Sequence, residues 1–172
     1  PLDELVSDDS TFHNYSGVED DPQALEILEG NIQKGWLKDF DTLDELADFV
    51  KGTPILNKFA CIKKLRPEGT MKHRIIMDSK ESGVIASSRK QYKQILPRQN
   101  DLIKDALSSM ADMKPGEQID FFVCDAEDAY WQVPLHLDEM RFYCSRLQMS
   151  DGTTRYLAYV RMPQAVSYTH LR

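Results

Sequence analysis

Cysteine is scarce in this sequence, with three (Cys61, Cys124 and Cys144) among 172 residues. They are odd in number and far apart, which excludes a disulfide scaffold or a zinc knuckle and fits a reducing, intracellular compartment. Long apolar runs are also missing. None approaches the roughly 20 residues of a membrane-spanning helix, so no membrane partner is expected. No charged-then-apolar leader follows Pro1, so no secretory signal is expected. A glycine-rich phosphate loop of the P-loop type is absent. The four histidines (His13, His73, His136 and His170) lack metal-ligand spacing, which leaves surface or packing roles. Basic residues are nearly absent from the first 50 positions, which hold 14 acids and only Lys34 and Lys38, a net of −12.

The bases are concentrated elsewhere. Residues 51–100 hold 12 bases and three acids, a net of +9, and residues 101–172 hold 11 acids and seven bases, a net of −4. The formal charge of −7 would argue against nucleic-acid binding if it were evenly spread. Its distribution instead predicts an acidic lead-in followed by a basic working surface, with a merely solvated basic face as the plain alternative.

Along the chain, residues 1–20 are acidic and without periodicity, and are expected to be disordered or loosely attached. Asp21-Pro22 reads as an N-cap with proline at the first helical position. The helix it opens runs through Leu25, Ile27, Leu28 and Ile32 to about Gln33 and is stopped by Gly35. A second helix is expected from Asp41, with Leu43, Leu46, Ala47 and Val50 on one face and Gly52 as its stop. Residues 21–52 thus form a helical lead-in. Phe59-Ala60-Cys61-Ile62 and Arg74-Ile75-Ile76-Met77 read as paired strands around the turn Pro67-Glu68-Gly69-Thr70. The hairpin carries Lys63, Lys64, Arg66, Lys72 and Arg74. An irregular basic stretch follows over residues 80–98, containing Lys80. A helix capped by Asn100 or Asp101, with Leu102, Ile103, Leu107 and Met110, then closes near Lys114-Pro115-Gly116. Residues 118–124 read as a mostly buried strand, and 141–148 with 155–161 as a second hairpin around Ser150-Asp151-Gly152-Thr153. Trp36 and Trp131 read as packing residues.

The segment Val123-Cys124-Asp125-Ala126-Glu127-Asp128-Ala129-Tyr130-Trp131-Gln132-Val133-Pro134-Leu135 carries the most chemistry. An apolar run delivers an acid to a strand end, and a second acid, an aromatic and a proline follow. An acid there is costly unless it is paired or binds a metal. Two-metal phosphoryl transfer needs such a carboxylate, because Mg²⁺ prefers hard oxygen ligands and shares its shell with substrate phosphates. The plain alternative is that Asp125 caps a turn and Asp128 faces solvent.

This pattern resembles motif A of reverse transcriptases, in which strand-Asp-x-x-Asp-Ala-(Tyr/Phe) leads to x-x-x-Pro-Leu. Other segments follow in the order of that family. Phe59 to Lys64 and Lys72 to Asp78 are similar to the fingers hairpin, Leu96-Pro97-Arg98 to the link into the palm, and Tyr159-Val160-Arg161-Met162-Pro163-Gln164 to the opening of motif B. The resemblance covers residues 53–164 and points to retroelement polymerases. It implies an α+β fold: the fingers (53–117) and partial palm (118–164) of a right-hand, reverse transcriptase-like polymerase, cut before its second catalytic motif.

The resemblance also implies roles. Asp125 would be the first catalytic, metal-binding aspartate for Mg²⁺ or Mn²⁺, aided by the Ala126 carbonyl. Asp128, Ala129 and Tyr130 would line the nucleotide pocket, with Tyr130 as a steric gate against the 2′-hydroxyl; a core tyrosine is the alternative. Arg74 and Lys64 would meet the triphosphate, Gln164 would touch the nucleotide or template strand, and Lys63, Arg66, Lys72 and Lys80 would contact nucleic acid. The implied partners are an RNA template, a DNA primer, deoxynucleotides, and the missing palm, thumb, ribonuclease H or integrase regions.

The Tyr-x-Asp-Asp pattern that supplies the remaining catalytic acids does not occur, so the isolated chain is expected to be inactive. Two rivals differ in specific ways. An RNA-directed RNA polymerase spaces its motif A acids more widely and lacks the bulky gate. A non-catalytic nucleic-acid-binding module, or a decayed element, would bind duplex without chemistry. At the end of the chain, Val166-Ser167-Tyr168-Thr169-His170-Leu171 resembles the in-frame translation of a common sequencing adapter (GTC TCT TAT ACA CAT CT), and Ala165 fits the first G of a glycine codon joined to the adapter's leading CT. Residues 165–172 are therefore expected to be foreign to the natural protein. Sequencing the source nucleic acid should find those codons at Val166–His170, and different codons there would reject the adapter origin.

Overall fold

Asp21 and Pro22 open the first helix as the sequence predicts. The computed structural model describes residues 5–88 and 97–163, so Gln164, residues 165–172 and Leu96 of the expected palm link lie outside the described residues. Helix α1 spans Pro22–Gln33, and the Asp21 carboxylate accepts the Gln23 N–H at 2.9 Å. Proline at the first helical position surrenders no hydrogen bond there. Gly35, at φ 71°, supplies the left-handed turn that ends the helix. Strand β1 (Leu37–Phe40) follows and was not expected. It exists only through its pairing with a distant strand, which local periodicity does not report. Helix α2 spans Leu43–Val50 and starts on a capping box in which Thr42 and Glu45 satisfy each other's backbone N–H groups. The expected start at Asp41 is therefore two residues early. The left-handed C-cap is Lys51 (φ 54°), one residue before the expected Gly52 stop.

The first hairpin consists of β2 (Lys58–Leu65) and β3 (Met71–Asp78), antiparallel and in continuous register from Lys58↔Asp78 to Leu65↔Met71. Its turn is closed by the Arg66 N–H donating to the Thr70 carbonyl at 2.8 Å, with Gly69 at φ 83°. A single helical turn, α3 (Val84–Ser87), lies in the stretch expected to be irregular. After a 3-10 turn at Ala129–Gln132 and the short α5 (Leu137–Met140), the second hairpin forms from β4 (Cys144–Gln148) and β5 (Thr154–Tyr159). β1 joins its β5 edge, giving a three-stranded antiparallel sheet of order β1-β5-β4, beside the separate two-stranded sheet β2-β3. The fold is mixed α and β with small antiparallel sheets, in keeping with the expected α+β class.

The chain divides into two units, one holding residues 5–88 and 128–163 of those described and the other residues 97–127. In the first, Leu28, Phe59, Met77, Trp131, Leu157 and Tyr159 belong to one buried cluster. Leu46, Val50, Leu56, Cys144 and Ala158 belong to a second. The acidic leader departs most from expectation. Val18 is fully buried. Buried Asn14 donates to the Arg146 carbonyl at 2.7 Å and to Glu19 at 2.8 Å, and its own oxygen accepts the Phe59 N–H at 2.8 Å. The Tyr15 N–H returns to the Phe59 carbonyl at 3.1 Å. Ser7 accepts the Leu56 N–H at 2.7 Å, and the Asp9 carboxylate accepts the Tyr156 hydroxyl at 2.8 Å. Side chain-to-backbone bonds of this kind hold a segment without regular structure, which is why hydrophobic periodicity gives no sign of it.

The second unit contains α4 (Gln99–Ala111), close to the expected helix, though its N-cap is Arg98 rather than Asn100 or Asp101. None of its residues is buried, and Leu102, Ile103, Leu107 and Met110 are exposed along one face. The expected strand over 118–124 does not form. Phe121, Phe122 and Val123 are 62%, 91% and 90% exposed on backbone without regular structure. An apolar run becomes a strand only where a neighbouring strand takes its hydrogen bonds and a layer covers its side chains. Among the described residues no strand pairs with this one.

Asn14→Ala should destabilise the protein by about 2 kcal/mol in chemical denaturation, because it leaves the buried Phe59 N–H and Arg146 carbonyl without partners. An unchanged denaturation midpoint would show that the leader is not part of the folded unit.

Candidate functional site

The residues nominated on the first hairpin are sorted by the pleat. Successive side chains of a strand point to opposite faces, so Lys63 and Lys64 cannot share one. In the observed register Ile62 lies opposite Arg74, Lys64 opposite Lys72, and Lys63 opposite His73. Ile62, Lys64, Lys72 and Arg74 therefore occupy one face. There, with Leu65, Arg66 and Pro67, they line a cavity of about 310 Å³. Ile62, which lines it, is 48% exposed. Among the described residues no carboxylate lies within ion-pair distance of Lys64, Lys72 or Arg74. Like charges directly across a ladder destabilise it, so Lys64 opposite Lys72 is a local electrostatic cost that an anionic ligand would relieve. Arg66 stands at the turn with Glu68 3.5 Å from its guanidinium, which partly neutralises it.

Lys63 belongs to the other face. Its ammonium pairs with the Asp21 carboxylate at 2.7 Å, and His73 Nε2 lies 3.6 Å from the same oxygen. The Lys63 ammonium holds the Asp21 carboxyl below its ordinary value, and Asp21 in turn raises Lys63. Asp21 thus caps α1 and anchors the hairpin at once. Lys63 is occupied by that anchor, and the structure does not bring it to the basic face. Lys80 is also elsewhere. It follows the base of β3, and its N–H donates to Asp78 at 2.9 Å, whereas Lys64 and Lys72 sit toward the turn.

The division between the two units falls within the motif A pattern. Asp125 and Ala126 belong to the second unit and are exposed on irregular backbone. Asp128, Ala129 and Tyr130 belong to the first unit. Asp128 adopts the left-handed conformation (φ 52°, ψ 36°), and its carbonyl accepts the Trp131 N–H at 2.8 Å to start the 3-10 turn. That conformation costs about 1 kcal/mol for a residue other than glycine, with aspartate among those that tolerate it. The turn is secured by Trp131. Its ring is buried and stacks on Trp36 at 4.8 Å with planes 6° apart, and on Tyr159 at 5.5 Å. An aromatic pair contributes about 1 kcal/mol beyond burial, so the stack offsets the strain. Both tryptophans are packing residues, as expected. Tyr130, one position away, is 52% exposed, so it is not a core tyrosine.

The end of this segment meets the opening of the motif B-like segment. Pro134 and Arg161 form an antiparallel bridge, with Leu135 N–H on the Val160 carbonyl at 3.1 Å and Met162 N–H on the Val133 carbonyl at 2.9 Å. Gln164 lies outside the described residues. Sequence reasoning missed two participants, Ile62 and Asp21, which were readable from strand parity and from the N-cap acid of α1.

Among the described residues no group of three or more His, Cys, Asp or Glu side chains could hold a metal ion. Asp125 lies on exposed, irregular backbone in the second unit, and Asp128, the other acid of the pattern, lies in the first. A scan against known protein families and a search of curated proteins find no match for this chain.

Asp21→Ala should lower the thermal midpoint more than Asp21→Asn, because asparagine keeps the cap but loses the charge. Since Asp21 titrates below its ordinary value, the ion-pair share of stability is present above that value and lost as pH falls through the lowered one. The midpoint difference between wild type and Asp21→Asn should therefore shrink in strong acid. A difference that holds constant into strong acid would contradict the ion pair.

Proposed function

We propose that this chain is part of an RNA-directed DNA polymerase of the retroelement type, comprising its fingers and the beginning of its palm. The observation that carries this reading is the face formed by Lys64, Lys72 and Arg74. These three cations, without carboxylate partners among the described residues, surround an exposed isoleucine. Such a face suits a ligand with several phosphate charges and an apolar body, as a nucleotide or nucleic-acid strand has. Arg74 can grip two phosphate oxygens through its planar fork, while the lysines act as point charges. The exposed Tyr130 supports a second contact. A bulky ring beside a sugar accepts a deoxyribose and rejects a ribose, whose 2′-hydroxyl would clash with it.

The chain's own residues account for binding and orientation, not for chemistry. With one candidate metal carboxylate, no step is assigned to Mg²⁺ or Mn²⁺, and the isolated chain should not extend a primer. A second reading, a nucleic-acid-binding module without catalysis, uses the same face and is favoured by the exposed, irregular backbone that carries Asp125. Nucleotide binding separates the two, because only the polymerase reading requires preference for deoxynucleotides over ribonucleotides.

Binding of a fluorescent primer–template should be steeply salt-dependent. On duplex, each phosphate that a cation neutralises adds roughly 0.9 to the steepness of the log–log slope. The triple variant Lys64→Gln/Lys72→Gln/Arg74→Gln should therefore flatten the slope by roughly two to three, while Lys63→Gln should leave it almost unchanged. Equal effects of the two variants would refute the assignment of the face.

A further inference from the structure

Lys34 is one of two basic residues in the first 50 positions and closes a circuit around the motif A-like turn. Its ammonium sits 4.2 Å from the centroid of the Trp36 ring and 4.0 Å from the Asp128 carboxylate. Trp36 stacks face to face on Trp131, and the Trp131 N–H donates to the Asp128 carbonyl at 2.8 Å. The path therefore runs from cation to ring, ring to ring, ring-bearing residue to the Asp128 backbone, and Asp128 carboxylate back to the cation. All four residues lie in the first unit. Asp128 is one of only two non-glycine residues with positive φ among those described. An unusual backbone conformation at a candidate site points to a functional constraint that its surroundings maintain.

The members of the circuit contribute differently. The buried stack holds the turn in place. The Lys34 side chain is 58% exposed and that of Asp128 42%, and exposed ion pairs contribute little to stability. The ion pair therefore has little to do with keeping the protein folded. A carboxylate on a left-handed residue can rotate about its side-chain bonds, and a cation anchored on an aromatic face restricts that rotation. Ala129 and Tyr130 are the next two residues of the turn that Asp128 opens.

We propose that Lys34 is a positioning residue for the Asp128–Tyr130 turn, its ammonium, seated on Trp36, aiming the Asp128 carboxylate and so setting how Tyr130 is presented. The consequence for nucleotide selection rests on the polymerase reading above. The coupling of Lys34 to Tyr130 through Asp128 does not.

The test uses the full chain with 3-fluorotyrosine at its seven tyrosines, the ¹⁹F resonances of Tyr130 and Tyr159 being assigned by Tyr130→Phe and Tyr159→Phe. Lys34→Met should move the Tyr130 resonance and leave that of Tyr159, which lies against the stack, in place. Lys34→Arg should restore the wild-type position, and Lys34→Gln should repeat the methionine effect with a polar side chain. In an Asp128→Asn background, Lys34→Met should add nothing, the non-additive result expected of residues that act through one another. A Tyr130 resonance blind to Lys34→Met, additive effects of Lys34→Met and Asp128→Asn, or joint movement of Tyr130 and Tyr159 would each overturn the proposal.

Titration with dATP and magnesium chloride then separates the two layers. Lys34→Met should raise several-fold the dATP concentration that shifts Tyr130. A wild-type Tyr130 that ignores dATP would remove the nucleotide reading, while the coupling would still stand or fall on the variant spectra.

Discussion

A β-strand turns its side chains to alternate faces, and in the β2–β3 hairpin that alternation decides which cations can meet a ligand. Lys63 and Lys64 are neighbours in sequence and opposites in space. One register position puts Lys63 beside His73 and Asp21, on the side of the hairpin that faces α1. The next puts Lys64 across from Lys72 and beside Arg74, on the open side. A slip of one residue would exchange the two sets. The register is held by residues at the base of the hairpin. Phe59, Ile75 and Met77 are buried in the main cluster, and burial of side chains of this size contributes roughly 2 kcal/mol each. The open face can carry unpaired positive charge because the other face is secured.

The leader is part of the same constraint. Asn14 takes the Phe59 N–H, and Tyr15 returns a bond to the Phe59 carbonyl. Residue 59 is thus held on both its backbone groups by a segment with no regular structure. The acidic charge of the first 21 residues is partly spent in specific pairs, Asp9 with Arg146 and Asp21 with Lys63. The acidic and basic halves of the sequence are therefore connected in the fold, and the local net of +9 overstates what faces outward. On the hairpin between Lys63 and Arg74, Lys63 is tied up, Arg66 is shared with Glu68, and Lys64, Lys72 and Arg74 remain.

Elements with a strong local signal were legible in the sequence. Asp21-Pro22 marked the start of α1, the Pro67–Thr70 turn marked the first hairpin, and Ser150–Thr153 marked the second. What failed to show depends on distant partners. β1 has four residues and exists through its pairing with β5. The leader is held by single polar bonds. Residues 118–124 read as a buried strand because they are apolar, yet Phe122 and Val123 lie exposed and no partner strand occurs among the described residues. At the candidate site the residue types were legible and their grouping only in part. Strand parity alone would have separated Lys63 from Lys64. No local pattern would have connected Lys34 to Asp128, because that contact depends on Trp36 stacking on Trp131.

The central claim is that Lys64 and Lys72 meet phosphate while Lys63 does not. Reductive methylation with ¹³C-formaldehyde labels each lysine ammonium, and NMR can follow those signals as an oligonucleotide is added. The account predicts that the Lys64 and Lys72 signals shift in parallel with binding, while Lys63, held by Asp21, stays where it was. A Lys63 signal that moves as far as theirs, or Lys64 and Lys72 signals that do not move while the oligonucleotide binds, would contradict it.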